Sequence, residues 1–313
     1  MEGRCVGIWN ANAAKASDSD DVQAKLHMMC DEVLEPSSRE ETIETIGQLH
    51  SVWRLIVAGG DGSINAAVNA LATMDKPPQL GLIPLGTAND LCSSLAIPDD
   101  PLQALELIEQ GPVLPLDVIE VISQHETAWC INMATGGNSA RVTENLTDEL
   151  KQRWGPLVYL RGVIGVLTDL DVFRTTIRFD DEPPQVLNVW NILMANAQTC
   201  GGRVHVAPKA SPADGLIDVI VVQDGTVGDM AEMAAGLVTG NYLEHEQVLY
   251  RRARRVELRS EPPMRFTIDG ELVDEIPHAF ILHPQKLPVV VGKLPMECSP
   301  TAAAPITRQQ YSP

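Results

Sequence analysis

The segment Gly59-Gly60-Asp61-Gly62-Ser63 joins the run Trp53–Ala58 to a stretch with Ile64, Ala67, Val68 and Leu71 on one helical face. Glycines between a strand and a helix let the chain turn tightly and bare its amides, and the helix adds its positive N-terminal end. That combination is a phosphate cradle. It matches neither G-x-G-x-x-G nor Walker A with its lysine, so dinucleotide-dehydrogenase and P-loop readings fail. The same residues also suit an ordinary strand–helix turn capped by Asp61 or Ser63. A second glycine turn, Pro84-Leu85-Gly86-Thr87-Ala88-Asn89-Asp90, follows strand 80–84. In a parallel sheet both turns fall at the carboxyl ends of neighbouring strands, where ligands bind. Asp61 and Asp90 would then share one site beside phosphate. Carboxylates there repel phosphate unless a cation intervenes, which predicts magnesium.

Two further segments pair acid with glycine: Ser211-Pro212-Ala213-Asp214-Gly215-Leu216 and Ile268-Asp269-Gly270-Glu271. The commonest short-range use of Asp-Gly is a hairpin turn. Asn132-Met133-Ala134-Thr135-Gly136-Gly137 ends a strand with glycines that suit a ligand wall or a bulge.

The elements that must position these residues fall into two sets. Strand 4–9, helices 20–35 and 40–50, strand 53–58, helix 63–74, strand 80–84 and helix 101–110 alternate, which predicts a parallel sheet with helices on both faces. After Gly111 the segments become short and β-branched: 113–122, 127–133, 172–179, 186–195, 203–206, 216–222, 254–259, 265–269 and 279–283. With helices only at 147–169 and 227–239, that half predicts an antiparallel sandwich. The tail from 296 reads as disordered.

Composition narrows the functions. A chain of 313 residues with 44% apolar residues supports two cored domains. A net charge of −19 repels a phosphate backbone, and 4% aromatics offer no stacking surface, so nucleic acid is excluded as a partner. The basic run Arg251-Arg252-Ala253-Arg254-Arg255 reads as a strand edge blunted with charge, with membrane contact as the alternative. Six cysteines without CxxC or metal-ligand spacing read as reduced thiols of a cytosolic protein. No signal peptide or spanning helix is evident, so any membrane contact is expected to be peripheral.

GGDGSIN, PLGTAND, INMATGG, ADGLIDV and IDGE, in this order and spacing, resemble the diacylglycerol kinase catalytic-domain superfamily, and within it the bacterial YegS-like lipid kinases. The resemblance covers about residues 4–291. GGDG alone is shared with NAD kinases and phosphofructokinases; PLGTAND and the late DGE argue against an NAD kinase. Retained acids argue against an inactive lipid-binding module.

The resemblance implies a two-domain α/β plus β-sandwich fold with ATP in the cleft between the domains. It implies residues 1–122 with a return segment near 284–300 as the nucleotide domain, 123–283 as the lipid domain and 301–313 as a flexible tail. ATP would be held by Gly59, Gly60, Asp61, Gly62, Ser63, Ile64 and Asn65, with Gly86 and Thr87. Asn10 stands where the family has an Asn-Pro turn, here Asn10-Ala11. Asp61, Asp90 and Asp117 would order magnesium and water, and Ser211, Asp214 and Leu216 a separate structural magnesium. Glu271 would be the catalytic base, with Asp61 and Asp269 next in line for that role; phosphoryl transfer needs such a carboxylate to accept the hydroxyl proton. The implied acceptor is a lipid alcohol at a membrane surface, and the oligomeric state stays open.

Overall fold

A computed structural model of the chain describes residues 3–139 and 170–293. The helix expected over 147–169 and the tail from 296 lie outside the described residues. The chain divides into two compact units: residues up to Val118, Pro212–Asp214 and Pro284 onward form the first, and Ile119–Ser211 with Gly215–His283 the second. It is a two-domain α/β fold whose C-terminal part is sandwich-like.

The first unit is built on the parallel strands β1 (Arg4–Trp9), β2 (Glu32–Leu34), β3 (Val52–Gly59) and β4 (Gln79–Pro84), in the order β2-β1-β3-β4. β3 and β4 read as nearly unbroken apolar runs because both faces of a parallel sheet are covered. Helices α1 (Asp20–Met29) and α5 (Pro101–Gln110) pack on the face that carries Cys5, Trp9, Ile56, Ala58 and Ile83. α2 (Arg39–Gly47) leans on α3 (Asp61–Leu71), and α3 packs on β3, whose Leu55 and Val57 alternate to that side. A short α4 (Asp90–Ser94) leaves the second glycine turn. Local rules set the ends: Ser38 caps α2, and Asp100 caps α5 with Pro101 in its first turn.

The helix expected over 20–35 ends at Met29, and residues 32–34 form β2. Val33 does continue the helical spacing, but it pairs in register with Gly7, and the Asp31 carboxylate accepts the Cys5 amide at 2.8 Å. Those contacts with β1 replace the last helical turn.

The second unit is antiparallel. β9 (Gln185–Ala195) is its spine, pairing with β7 (Met133–Gly137), β8 (Phe173–Phe179) and β12 (Ile217–Gln223). β14 (Arg255–Glu261) extends β8, and β15 (Phe266–Ile268) extends β7. Two further strands hold residues of both units: β5 (Val113–Ile122), paired with β6 (Thr127–Cys130), and β17 (Ala279–Val290). The inward residues Phe173, Ile177, Val219, Leu258, Phe266 and Phe280 meet in one apolar core. α6 (Val227–Thr239) starts on a reciprocal Thr226–Asp229 capping box and buries Met230 and Met233 in a second cluster.

The sequence did not mark β13 (Val248–Ala253), which pairs with β12 and, among the described residues, with no other strand. Its exposed Arg251 and Arg252 put charge on that edge. The strand expected over 203–206 is only two residues long, β11 (Val204–His205), and pairs with the equally short β10 (Thr199–Cys200).

Candidate active site

In the first unit β3 ends at Gly59 and α3 begins after Gly60, whose side the chain leaves without any side-chain cap. Gly60 at the N-cap has no side chain to offer this helix, whose start carries a positive dipole end. The second glycine turn lies directly against the first. A methyl group on Gly86 would come 2.6 Å from the Gly60 Cα, and one on Gly60 would come 3.1 Å from the Gly86 Cα. A methyl on Gly59 would sit 2.5 Å from the Ser63 side chain. These glycines are therefore required first by turn-to-turn packing.

Side chains tie the cluster together. Asp61 Oδ2 accepts the Asn89 amide at 2.9 Å, coupling one turn to the other. Asn89 adopts a left-handed backbone (φ 52°) and brackets Gly86, with Oδ1 accepting its N–H at 3.0 Å and Nδ2 donating to its carbonyl at 2.9 Å. Asn10 Nδ2 donates to Ser63 Oγ at 2.7 Å, while Asn10 Oδ1 accepts the Asn12 N–H at 2.9 Å. The Asn10 turn thus reaches the first glycine turn without the proline of the family pattern. Thr87 is exposed.

Two expected nucleotide contacts point elsewhere. Ile64 is buried in the core and its amide bonds the Gly60 carbonyl. Asn65 is also buried; its Oδ1 accepts from Arg39 at 2.8 Å and from Asn69 at 3.1 Å. Asn89 is the member of the cluster that motif reading passed over. Its sign in the sequence was an Asn in a glycine turn, a residue type that tolerates the left-handed region.

The acids do not gather into a cage. Among the described residues, no group of three or more His, Cys, Asp or Glu side chains is placed to hold a metal ion. Asp90 opens α4 and is largely buried, whereas Asp117 is wholly buried with Oδ1 accepting the Gln285 amide at 2.8 Å. Of the three aspartates expected to order magnesium and water, Asp61 and Asp117 also accept backbone amides. Magnesium commonly takes only one or two protein carboxylates and fills its octahedron with phosphate oxygens and water. Asp61, half-buried beside the uncapped start of α3, fits that part. The Asp117 amide donates to the Pro212 carbonyl at 2.8 Å, which fastens the Ser211–Leu216 loop. In that loop Ser211 is buried, Asp214 is exposed, and Gly215 takes φ +78°. An exposed carboxylate with carbonyls on a fixed loop is oxygen chemistry suited to magnesium.

In the second unit Asp269 and Gly270 form a two-residue hairpin turn, with φ 49° and 90°, that pairs Ile268 with Glu271. Unlike an ordinary turn residue, Asp269 is anchored. Its carboxylate accepts the amides of Ile131, Asn132 and Met133 at 3.1, 2.9 and 3.0 Å and the Cys130 thiol at 3.2 Å. Burial first, and the Asp269 charge second, push the Cys130 thiol well above its usual range, so it stays a donor. This explains why the strand expected over 127–133 breaks: residues 131 and 132 turn their N–H groups onto Asp269 instead of continuing the ladder. Gly136 faces the Phe266 ring, which a methyl group would meet at 2.4 Å, and Gly137 holds φ +97°. Beyond the turn, Glu271 opens β16 (Glu271–Leu272) and is exposed. The arrangement holds one acid by four donors and displays the next.

Comparison with known proteins follows these two regions. Residues 8–121 match the diacylglycerol kinase catalytic domain, and residues 132–291 match the YegS C-terminal NAD kinase beta sandwich-like domain. A diacylglycerol kinase of Bacillus subtilis is 30% identical over 76% of this chain and 78% of its own. The protein named "Probable lipid kinase YegS-like" from Xanthomonas oryzae pv. oryzae is 33% identical over 70% of this chain and 72% of its own. A crystal structure from Bacillus anthracis covers 93% of this chain and 96% of its own with a TM-score of 0.80. At 21% identity that likeness speaks for the fold.

Proposed function

The chain belongs to the diacylglycerol kinase family of lipid kinases, in its YegS-like form, and from that premise we propose that it transfers the γ-phosphate of ATP to a hydroxyl of a diacylglycerol-type or phosphatidylglycerol-type lipid. The observation that carries the reading is the pair of glycine turns in contact at an uncapped helix start. Backbone amides and a helix dipole suit the phosphates of a nucleotide, and Asp61, by bonding Asn89, keeps the two turns in one piece.

On this reading Glu271 accepts the proton of the lipid hydroxyl as the oxygen attacks phosphorus. The anchored Asp269 positions it by fixing the hairpin. Asp61 and Asp90 at the turns would hold a magnesium ion, which would supply charge neutralisation for the phosphates, and Asp214 would hold a separate structural one. The acceptor comes from a membrane surface, and contact with it is peripheral. Among the described residues no helix is long and apolar enough to cross a bilayer.

The test is transfer of radiolabelled phosphate from ATP, with magnesium, to a panel of diacylglycerol, phosphatidylglycerol, a sphingoid base and NAD. Label in a glycerolipid, lost on chelation of the metal, is the expected result. Label in NAD alone, or in no acceptor of the panel, contradicts the proposal.

A further inference from the structure

Cys5 lies in β1 and Cys30 follows the last turn of α1, twenty-five positions apart, a spacing that matches no cysteine motif. The fold sets their Sγ atoms 3.6 Å from each other. The backbone around them is pinned: the Cys5 amide donates to Asp31 Oδ2 at 2.8 Å, the Asp31 amide donates to the Cys5 carbonyl at 2.9 Å, and the Cys30 amide closes α1 on Leu26 at 3.0 Å. A disulfide would bring the two sulfurs from 3.6 Å to roughly 2.05 Å.

Cys5 is buried at 7% exposure, and an oxidant reaches it only by way of a cavity. Cys5 lines a cavity of about 380 Å³ with Met28, Met29, Arg54 and Glu109, and Met28 is 87% exposed; Cys30 itself is half-buried. Arg54 is fixed there by donating to the Ile108 carbonyl at 2.6 Å and to Gln79 Oε1 at 2.9 Å, with its guanidinium 4.3 Å from the Trp53 ring centre. The thiol–thiol hydrogen bond, assisted by Arg54 and opposed by burial and Asp31, draws Cys5 below the usual thiol range. The same hydrogen bond, with burial, pushes Cys30 up. The two thiols are shifted in opposite directions, and the one that loses its proton more easily is the better attacking sulfur.

We propose that Cys5 and Cys30 form a reversible dithiol–disulfide site that hydroperoxides oxidise. The Cys5 sulfur attacks a peroxide oxygen, the O–O bond breaks, and with hydrogen peroxide Cys5 becomes a sulfenic acid while one water leaves. The Cys30 sulfur then attacks the Cys5 sulfur, the S–O bond breaks, and hydroxide departs with the Cys30 proton as a second water. Two thiols lose two protons and two electrons, and the peroxide gains them. Cys92 and Cys130 are fully buried and Cys130 is kept protonated, while Cys200 is half-buried, so what distinguishes the first pair is the 3.6 Å between its sulfurs. The new bond ties β1 to the end of α1 and constrains the unfolded chain. None of this depends on phosphoryl transfer.

The full-length protein is treated with hydrogen peroxide, alkylated without reduction, digested and analysed by mass spectrometry, with melting followed in parallel. A single linked peptide joining Cys5 to Cys30, lighter by two hydrogens, reversed by dithiothreitol and accompanied by a higher Tm, is expected. In Cys30→Ser, dimedone should trap a sulfenic acid on Cys5. If both cysteines remain fully alkylatable after peroxide, or if the linkage joins another pair, the site is refuted. The wild-type peptide map decides this even where a serine variant folds poorly.

Discussion

Asp269 and Glu271 are two residues apart and both acidic, yet the structure gives them opposite circumstances. Asp269 accepts three backbone amides and a thiol, so its charge is part of how residues 130–133 and the hairpin stay together. Asp269→Asn would turn an amide NH₂ toward groups that are themselves donors. A buried donor left unmatched costs about 1–3 kcal/mol, and denaturant unfolding should show a loss of that size along with reduced turnover. Unchanged stability would mean that the amides of residues 131–133 are satisfied without the carboxylate. The sequence offered a hairpin turn or a catalytic pair as alternatives for Ile268–Glu271. The geometry contains the turn and leaves Glu271 on display, and one dipeptide can serve both ends.

At the level of elements, the two glycine turns are held by a residue whose importance lay in its backbone. Asn89 at φ 52° makes three hydrogen bonds within the two turns, to Asp61 and twice to Gly86. Two of them use its side chain, and Asn89→Ala removes both at a buried site. It should cost about 1–3 kcal/mol of stability and weaken ATP binding measured by calorimetry, since the second turn loses its brace. Wild-type nucleotide affinity in a folded variant would detach Asn89 from the cradle. Strands β3 and β4 and helices α3 and α5 were legible because long apolar runs and caps are local properties. The end of α1, the strand β2 and the break before β7 were not. Each is decided by a partner distant in sequence: Cys5 and Gly7 for the first two, Asp269 for the third. The nearness of Cys5 and Cys30 was hidden for the same reason.

For the whole molecule, the sequence supported two domains and a lipid kinase family because five motifs kept their order over nearly the full chain. Spacing could not show that Asp61 and Asp117, two of the three acids expected to order magnesium and water, also accept backbone amides. The Asp214 loop makes a separable prediction. If it holds a structural magnesium, Asp214→Ala should lower Tm and abolish most of the magnesium-induced rise in Tm; an undiminished rise would leave the loop as a turn. The central claim is that Glu271 removes the proton of a lipid hydroxyl during transfer from ATP. Single-turnover transfer to diacylglycerol by Glu271→Gln, alongside ATP binding to the same variant, tests it most directly. Removing a general base typically costs about 10²–10⁴-fold in rate, so the account predicts a loss of that order with ATP affinity and stability unchanged, whereas transfer at the wild-type rate would contradict it.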